Sequence, residues 1–128
     1  MAIQKKIDLN LTRLNYKVWL ADDDDQGILG DGKWQILKTI EETGSLTAAC
    51  KKLNLTYRRT WGDLKKIELM LGFPLLERSR GGTEGGTSQL SPQGKKLVNA
   101  FDAFHQSVDD TINDAFVALK EELINLSK

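Results

Sequence analysis

The residues best suited to binding chemistry are four cations in the middle of the chain, Arg58, Arg59, Lys65 and Lys66. At about 100° per residue they fall on one side of a helix, and the apolar side is formed by Thr60, Trp61, Leu64, Ile67 and Leu71. A helix of this width fits the major groove of B-DNA, where Arg can contact guanine O6 and N7 and Lys can pair with phosphates. Gly62 interrupts the basic side and would let a groove wall approach closely, although it costs about 1 kcal/mol relative to Ala. A solvated basic face without a ligand is the alternative.

The distribution of charge along the chain supports a polyanionic partner. The formal net charge is zero, but residues 45–96 carry ten Lys or Arg against four Asp or Glu, a balance of +6. Residues 1–44 carry six against eight, a balance of −2, and residues 97–128 carry two against six, a balance of −4. A neutral protein with a basic middle can present a positive patch to nucleic acid. Random clustering of surface charges is the competing interpretation.

Local signals predict the elements that hold this basic helix. Asp31 is expected to cap a helix that runs to about Thr43, and Ser45 to cap a short helix that ends near Leu53. Asn54 is a turn residue that can adopt a left-handed conformation. Thr56 is expected to cap the basic helix, which Gly72 ends with Pro74 just beyond. Upstream, residues 7–20 alternate like a strand, with a bulge or turn at residues 12–13, and residues 22–27 form an acidic surface loop.

A hairpin with a long glycine-rich tip is predicted after the basic helix. Two short strands, near residues 75–78 and 88–90, flank glycines between residues 81 and 86. Such a tip can lay Arg80 along a phosphate strand or into a minor groove. A phosphate-cradling nucleotide loop is rejected because no Gly-Lys-Ser/Thr follows, whereas a plain flexible hairpin stays open. The fold class is therefore mainly α with a small β wing: a winged helix-turn-helix.

A long last helix, opened by Ser91 as N-cap and Pro92 at the first helical position, carries an apolar stripe. The stripe consists of Leu97, Phe101, Phe104, Val108, Ile112, Phe116, Leu119, Leu123 and Leu126. A helix of some 35 residues would be about 52 Å long, more than a small domain can cover. We expect this stripe, from Leu97 to Leu123, to form a homodimer interface. Folding back onto the winged domain is the alternative.

Other chemistries find little support in the sequence. Cys50 is the single cysteine, and His105 has no nucleophile or carboxylate at catalytic spacing. The acidic loop matches part of a calcium-binding loop, but Lys33 occupies the twelfth position, where a bidentate Glu is required. No apolar stretch approaches the roughly 18 residues of a membrane span, and the N-terminus does not resemble a signal peptide. We expect a cytoplasmic protein that is not an enzyme and has no metal or cofactor.

Several motifs resemble a known family of regulators. Gly44-Ser45-Leu46-Thr47-Ala48-Ala49, Leu71-Gly72-Phe73-Pro74-Leu75-Leu76-Glu77-Arg78 and Leu90-Ser91-Pro92-Gln93-Gly94 resemble the DNA-binding domain of LysR-type regulators. Thr56-Tyr57-Arg58-Arg59-Thr60-Trp61 and the glycine-rich tip are more similar to the molybdate-responsive ModE regulators. This resemblance covers roughly residues 30–105. It implies a prokaryotic transcription regulator that binds a palindromic operator as a homodimer.

The resemblance also implies which residues contact DNA and which property is missing. Contacts are expected from Tyr57, Arg58 and Arg59 on the recognition helix and from Arg80 on the wing. The complete predicted DNA interface is Ser45, Thr47, Thr56, Tyr57, Arg58, Arg59, Gly62, Lys65, Lys66, Arg78, Arg80, Gly81 and Gly82. ModE regulators continue into a molybdate-binding domain to which the resemblance does not extend, so we expect no molybdate or other small-molecule effector.

Together these features predict two functional parts. Residues 1–90 form the winged helix-turn-helix, and residues 91–128 form the C-terminal dimerisation helix. The predicted partners are double-stranded DNA and a second copy of the chain, without a membrane. The alternative function is a winged-helix module for protein association or for non-specific DNA architecture.

Overall fold

The N-terminal part of the computed structural model, which describes residues 5–78 and 88–128, contains a short hairpin instead of a long strand. A 3-10 turn at Leu9–Leu11 is capped by Asp8, and the strands β1 (Trp19–Ala21) and β2 (Gly27–Gly30) pair antiparallel. The strand predicted over residues 7–20 is therefore wrong except at its end. Alternation indicates a strand only where a neighbouring strand and a buried face exist, and residues 7–17 have neither within the described part of the chain.

The acidic loop is the tight connection between β1 and β2. Asp22 Oδ1 accepts hydrogen bonds from the backbone N–H groups of Asp24 and Gln26, at 2.9 and 2.8 Å. Asp25 adopts a left-handed conformation with φ 65°. The first aspartate thus closes the turn, a role typical of Asx turns.

Three helices follow as the capping signals predicted, with one shift. They are α1 (Asp31–Thr43), α2 (Leu46–Leu53) and α3 (Tyr57–Leu71). Gly44 and Gly72 end α1 and α3 with φ 90° and 84°, a backbone conformation that suits glycine. The N-cap of α1 is Gly30, so Asp31 is the first helical residue and not the cap.

The second hairpin and the last helix complete the winged helix-turn-helix fold. Strands β3 (Leu76–Arg78) and β4 (Ser88–Leu90) pair antiparallel and lead into α4 (Pro92–Leu126). Ser91 Oγ accepts from the Gly94 N–H at 2.9 Å and donates to the Pro74 carbonyl at 2.6 Å. A Cβ on Gly94 would clash with the Leu75 carbonyl oxygen, so only glycine allows α4 to start this close to the residue that precedes β3.

The contacts between residues divide the chain into two compact units. Residues 17–102 form one unit, and the other consists of the chain up to Tyr16 together with residues 103–128. The first unit contains the core: Leu29, Ile36, Leu37, Ile40, Leu46, Ala49, Cys50, Leu64, Ile67, Leu75, Leu76, Leu90, Val98 and Phe101. No residue of 5–16 or 103–128 is buried. Among the described residues, no helix is both long and apolar enough to cross a membrane.

Candidate nucleic-acid interface

The turn between α2 and α3 presents α3 to solvent. Asn54 is left-handed, with φ 56°, and its backbone N–H donates to the Cys50 and Lys51 carbonyl groups. Thr56 occupies the N-cap position of α3 with extended backbone, although its side chain makes no capping hydrogen bond. The predicted turn chemistry at Asn54 is confirmed. A helix that follows such a tight turn can pack one side on α1 and α2 and leave the other side accessible.

The two sides of α3 are as distinct as the periodicity predicted. Thr60, Leu64 and Ile67 are buried. The exposed residues of α3 are Tyr57, Arg58, Arg59, Trp61, Gly62, Lys66 and Leu69. Trp61 is a correction, because it was assigned to the apolar side but leaves 41% of its surface exposed. A Cβ on Gly62 would meet no other atom of the described residues within 4 Å, so nothing in that part of the chain requires glycine there.

The edge of α3 that faces the wing borders a concave cleft of about 370 Å³. It is lined by Tyr57, Trp61 and Lys65 of α3, Leu76, Glu77 and Arg78 of β3, and Ser88 of β4. Two cations, one carboxylate, two aromatic rings and the hydroxyl groups of Tyr57 and Ser88 therefore lie between the recognition helix and the base of the wing. This arrangement offers charge, hydrogen-bond donors and flat surfaces to a phosphate-sugar strand.

Lys65 is held more tightly in this cleft than the sequence indicated. Its ammonium lies 3.2 Å from Glu68 Oε2 and 5.5 Å from the centre of the Trp61 ring. The sequence assigned Lys65 to phosphate contacts together with Lys66. The structure shows Lys66 exposed and Lys65 half-buried in an ion pair within its own helix.

The opposite edge of α3 carries a second group of cations, one of which the sequence did not reveal. Lys33 of α1 forms an ion pair with Asp63 of α3 at 3.2 Å. Arg59 and Lys66 line a cleft of about 310 Å³ with this pair and with Gly27 of β2. Only the tertiary fold brings Lys33 to α3, since the two residues of the ion pair are 30 positions apart.

The remaining predicted DNA contacts differ in how accessible they are. Ser45 Oγ accepts from the Ala48 N–H at 3.0 Å and caps α2, whereas Thr47 on the first turn of α2 is exposed. Arg78 is exposed at the end of β3. Arg80, Gly81 and Gly82 lie outside the described residues.

Two residues at the N-terminal end of the predicted dimer interface, Leu97 and Phe101, belong to the core of their own chain. Phe101 is 5% exposed in the core, its ring centre is 6.0 Å from that of Trp34, and Leu97 packs against the same core. These two residues complete the winged unit of their own chain because α4 starts directly against β3. Further along, Phe104 and Leu119 are 45% and 52% exposed, and the half-buried members of the stripe are Val108, Ile112, Phe116 and Leu123.

The fold and the arrangement of α3 can now be compared with known proteins. The model for bacterial regulatory helix-turn-helix proteins of the lysR family matches residues 32–95, half of the chain. The chain belongs to the lysR family. The matched stretch runs from the start of α1 to the first turn of α4, so it includes α3 and the strands β3 and β4 that border the cleft on the wing side, whereas β2, which borders the opposite cleft, precedes it.

Curated relatives confirm the predicted similarity to ModE regulators. The chain is 30% identical over 92 residues to the transcriptional regulator ModE of Haemophilus influenzae, covering 72% of this chain and 34% of that protein. It is 31% identical over 80 residues to the molybdenum-pterin-binding protein MopB of Rhodobacter capsulatus, covering 62% and 30%. The chain thus spans about a third of the length of these relatives.

A solved structure agrees on the fold. The DNA-binding domain of CbnR, solved in complex with DNA, aligns with a TM-score of 0.53 at 21% identity, covering 68% of this chain and 94% of that domain. The predicted winged helix-turn-helix fold is confirmed, and the chain carries a helix-turn-helix domain of the lysR family that is similar in sequence to the corresponding part of ModE regulators.

Proposed function

We propose that this protein binds a palindromic operator as a homodimer, with α3 in the major groove and the wing on the backbone or in the minor groove. The observation that carries the proposal is the accessible basic side of α3, on which Arg58, Arg59 and Lys66 surround Gly62. Its opposite side is anchored in the core through Thr60, Leu64 and Ile67, so the helix is a rigid support for base contacts.

Different residues of α3 would then perform different tasks. Arg58 and Arg59 suit base edges because a guanidinium can donate two hydrogen bonds to guanine O6 and N7. Lys66 lines the cleft on one side of α3, and Arg78 of β3 lines the cleft on the other side. The two cations therefore suit phosphates on the two DNA strands that border the groove. Thr47, Thr56 and Tyr57 would position the domain on the backbone, and Arg80, Gly81 and Gly82 would extend the contact along the wing.

The dimer is supported by residues 103–128, which fold as a helix without burying any side chain. Phe104, Val108, Ile112, Phe116, Leu119 and Leu123 form an apolar stripe that the equivalent stripe of a second chain can cover. A symmetric helix pair imposes two-fold symmetry on the DNA site. The two half-sites are then expected about 34–36 Å apart, or at a multiple of that distance.

Selection of bound duplexes from a random pool tests this proposal. We expect an inverted repeat, and in fluorescence anisotropy we expect binding to it at least about 1,000-fold tighter than to a scrambled duplex. Equal affinity for selected and scrambled duplexes would instead indicate an architectural role. Enrichment of single half-sites, bound by a monomer, would contradict the palindromic operator.

We propose also that operator binding by this 128-residue chain occurs in the cytoplasm and does not depend on molybdate. Residues 103–128 carry five acidic residues against two lysines, a charge that repels an oxyanion. A ligand alters affinity only if it binds two states of a protein differently. Titration of molybdate at constant ionic strength is expected to leave the anisotropy curve unchanged, and a saturable shift would show that a sensor site exists.

A further inference from the structure

Glu68 connects the recognition helix to the wing. Only 11% of its side chain is exposed, and its Oε1 accepts hydrogen bonds from the backbone N–H groups of Leu75 and Leu76, at 3.1 and 3.2 Å. Its Oε2 lies 3.2 Å from Lys65 Nζ. One carboxylate therefore joins α3, the chain that enters β3 and the cation beside the cleft.

The two backbone hydrogen bonds fix the start of the wing. Leu76 is the first residue of β3 and pairs with Leu90 of β4. Hydrogen bonds to an ionised acceptor are shorter and stronger than those between neutral groups. A side chain of the recognition helix consequently sets the direction of β3 relative to α3. It thereby also sets the position of Arg78 at the end of β3.

The ion pair restrains Lys65. Its ammonium is held between a carboxylate and the Trp61 ring, whereas the neighbouring Lys66 projects from the exposed side. Non-specific affinity for DNA comes almost entirely from cations that neutralise phosphates and release counterions. A lysine whose charge is balanced by a neighbouring carboxylate adds less to that affinity than a lysine without such a neighbour.

We infer that Glu68 is a specificity-determining positioning residue. Its carboxylate pairs with the Lys65 ammonium, so that Lys65 adds less to the affinity for arbitrary DNA. It also holds the base of the wing where an operator strand would contact it. Its presence therefore increases the ratio of operator affinity to non-specific affinity. This inference rests on the proposed function, because such a ratio requires a preferred operator.

The substitution Glu68→Gln separates the two roles of the carboxylate. It keeps an oxygen that can accept from Leu75 and Leu76 but removes the charge that faces Lys65. The matched control is Glu77→Gln on β3, which removes the same charge from a carboxylate that lines the same cleft and accepts from the Gln89 amide at 3.2 Å. Thermal melting of both variants checks that the fold is retained.

Anisotropy with a scrambled duplex over a series of salt concentrations measures the effect. For Glu68→Gln we expect the scrambled-duplex affinity to rise roughly threefold to tenfold above that of Glu77→Gln, with a salt slope steeper by about 0.9. Operator affinity should change less than about twofold, because the neutral amide holds the Leu75 and Leu76 N–H groups more weakly than the carboxylate does and this loss offsets the gain from Lys65. The specificity ratio therefore falls. In a Lys65→Ala background the same substitution should have no larger effect than Glu77→Gln.

Three results would overturn the inference: equal shifts for Glu68→Gln and Glu77→Gln, a shift that persists without Lys65, or an equal rise for operator and scrambled DNA. If Glu68→Gln unfolds, the single lysine variants decide, because Lys65→Ala must then change the salt slope less than Lys66→Ala does. Failure of the proposed function is a separate outcome, in which the unmodified protein already lacks preference for any duplex.

Discussion

The winged unit of residues 17–102 and the helical segment of residues 103–128 differ in how far they bury their apolar side chains. The winged unit buries fourteen hydrophobic residues among themselves, whereas residues 103–128 leave every side chain exposed or half-buried. Both segments show the same helical spacing in sequence, as α3 and α4 illustrate. The comparison teaches that periodicity identifies an apolar face but not the surface that covers it.

The largest expected effect comes from a charge on the apolar stripe of residues 104–123. Ile112→Glu should abolish the dimer, since a carboxylate would have to be buried between two helices. Affinity for the palindrome should fall about 100-fold or more, because the two half-sites are no longer bound together. Sedimentation velocity and anisotropy measure the two effects. Asn113→Glu, an exposed neighbour with the same added charge, is the control and should remain dimeric. A dimeric Ile112→Glu variant would show that the stripe is not the interface.

Truncation of leucines in the two segments should have different consequences. Leu64→Ala removes a fully buried side chain of the winged unit and should lower the free energy of unfolding by about 2–5 kcal/mol. Leu119→Ala, at a side chain that is 52% exposed, should weaken dimerisation and leave the unfolding of the winged unit unchanged. Urea denaturation followed by the fluorescence of Trp19, Trp34 and Trp61, all in the winged unit, distinguishes the two at a concentration where the protein is monomeric. Similar losses for both variants would mean that the helical segment shares the core.

Sequence reading should depend on the winged unit alone. Arg58→Ala is expected to cost about 1–3 kcal/mol of operator affinity and to relax preference at one base position. Lys66→Ala should weaken binding to operator and scrambled duplexes alike and reduce the salt slope by about 0.9. Competition anisotropy with single-base operator variants tests both, and sedimentation should show an unchanged dimer. Equal losses for Arg58→Ala on all duplexes would remove Arg58 from base recognition.

The smallest expected effect is that of Gly62→Ala, which should increase the stability of the fold but decrease the affinity for the operator. Gly62→Ala should stabilise the winged unit by up to about 1 kcal/mol, because alanine is the better helix former and a Cβ there meets no other atom of residues 5–78 and 88–128. Operator affinity should nevertheless fall if the groove wall approaches α3 at this point. Melting and anisotropy are measured on the same sample. Increased stability with unchanged affinity would show that Gly62 does not lie against DNA.

Most helix boundaries could be predicted from the sequence because their signals are local. Gly44, Asn54 and Gly72 end three helices in the left-handed conformation, and Ser91 caps the fourth through its own hydroxyl. The strand prediction for residues 7–18 is wrong for the opposite reason. Their alternation is also local, but a strand needs a partner at a distance, and the pairing begins only at Trp19.

The candidate interface was determined partly by sequence and partly by the fold. The sequence by itself determined that α3 has a basic and an apolar side, because 3.6 residues per turn place Arg58, Gly62 and Lys66 opposite Thr60, Leu64 and Ile67. Only the tertiary structure decided that Lys33 pairs with Asp63, that Glu68 holds Leu75, Leu76 and Lys65, and that Phe101 packs on Trp34. These contacts follow from the way separate elements pack, and no spacing within one element specifies which neighbour its side chains will meet.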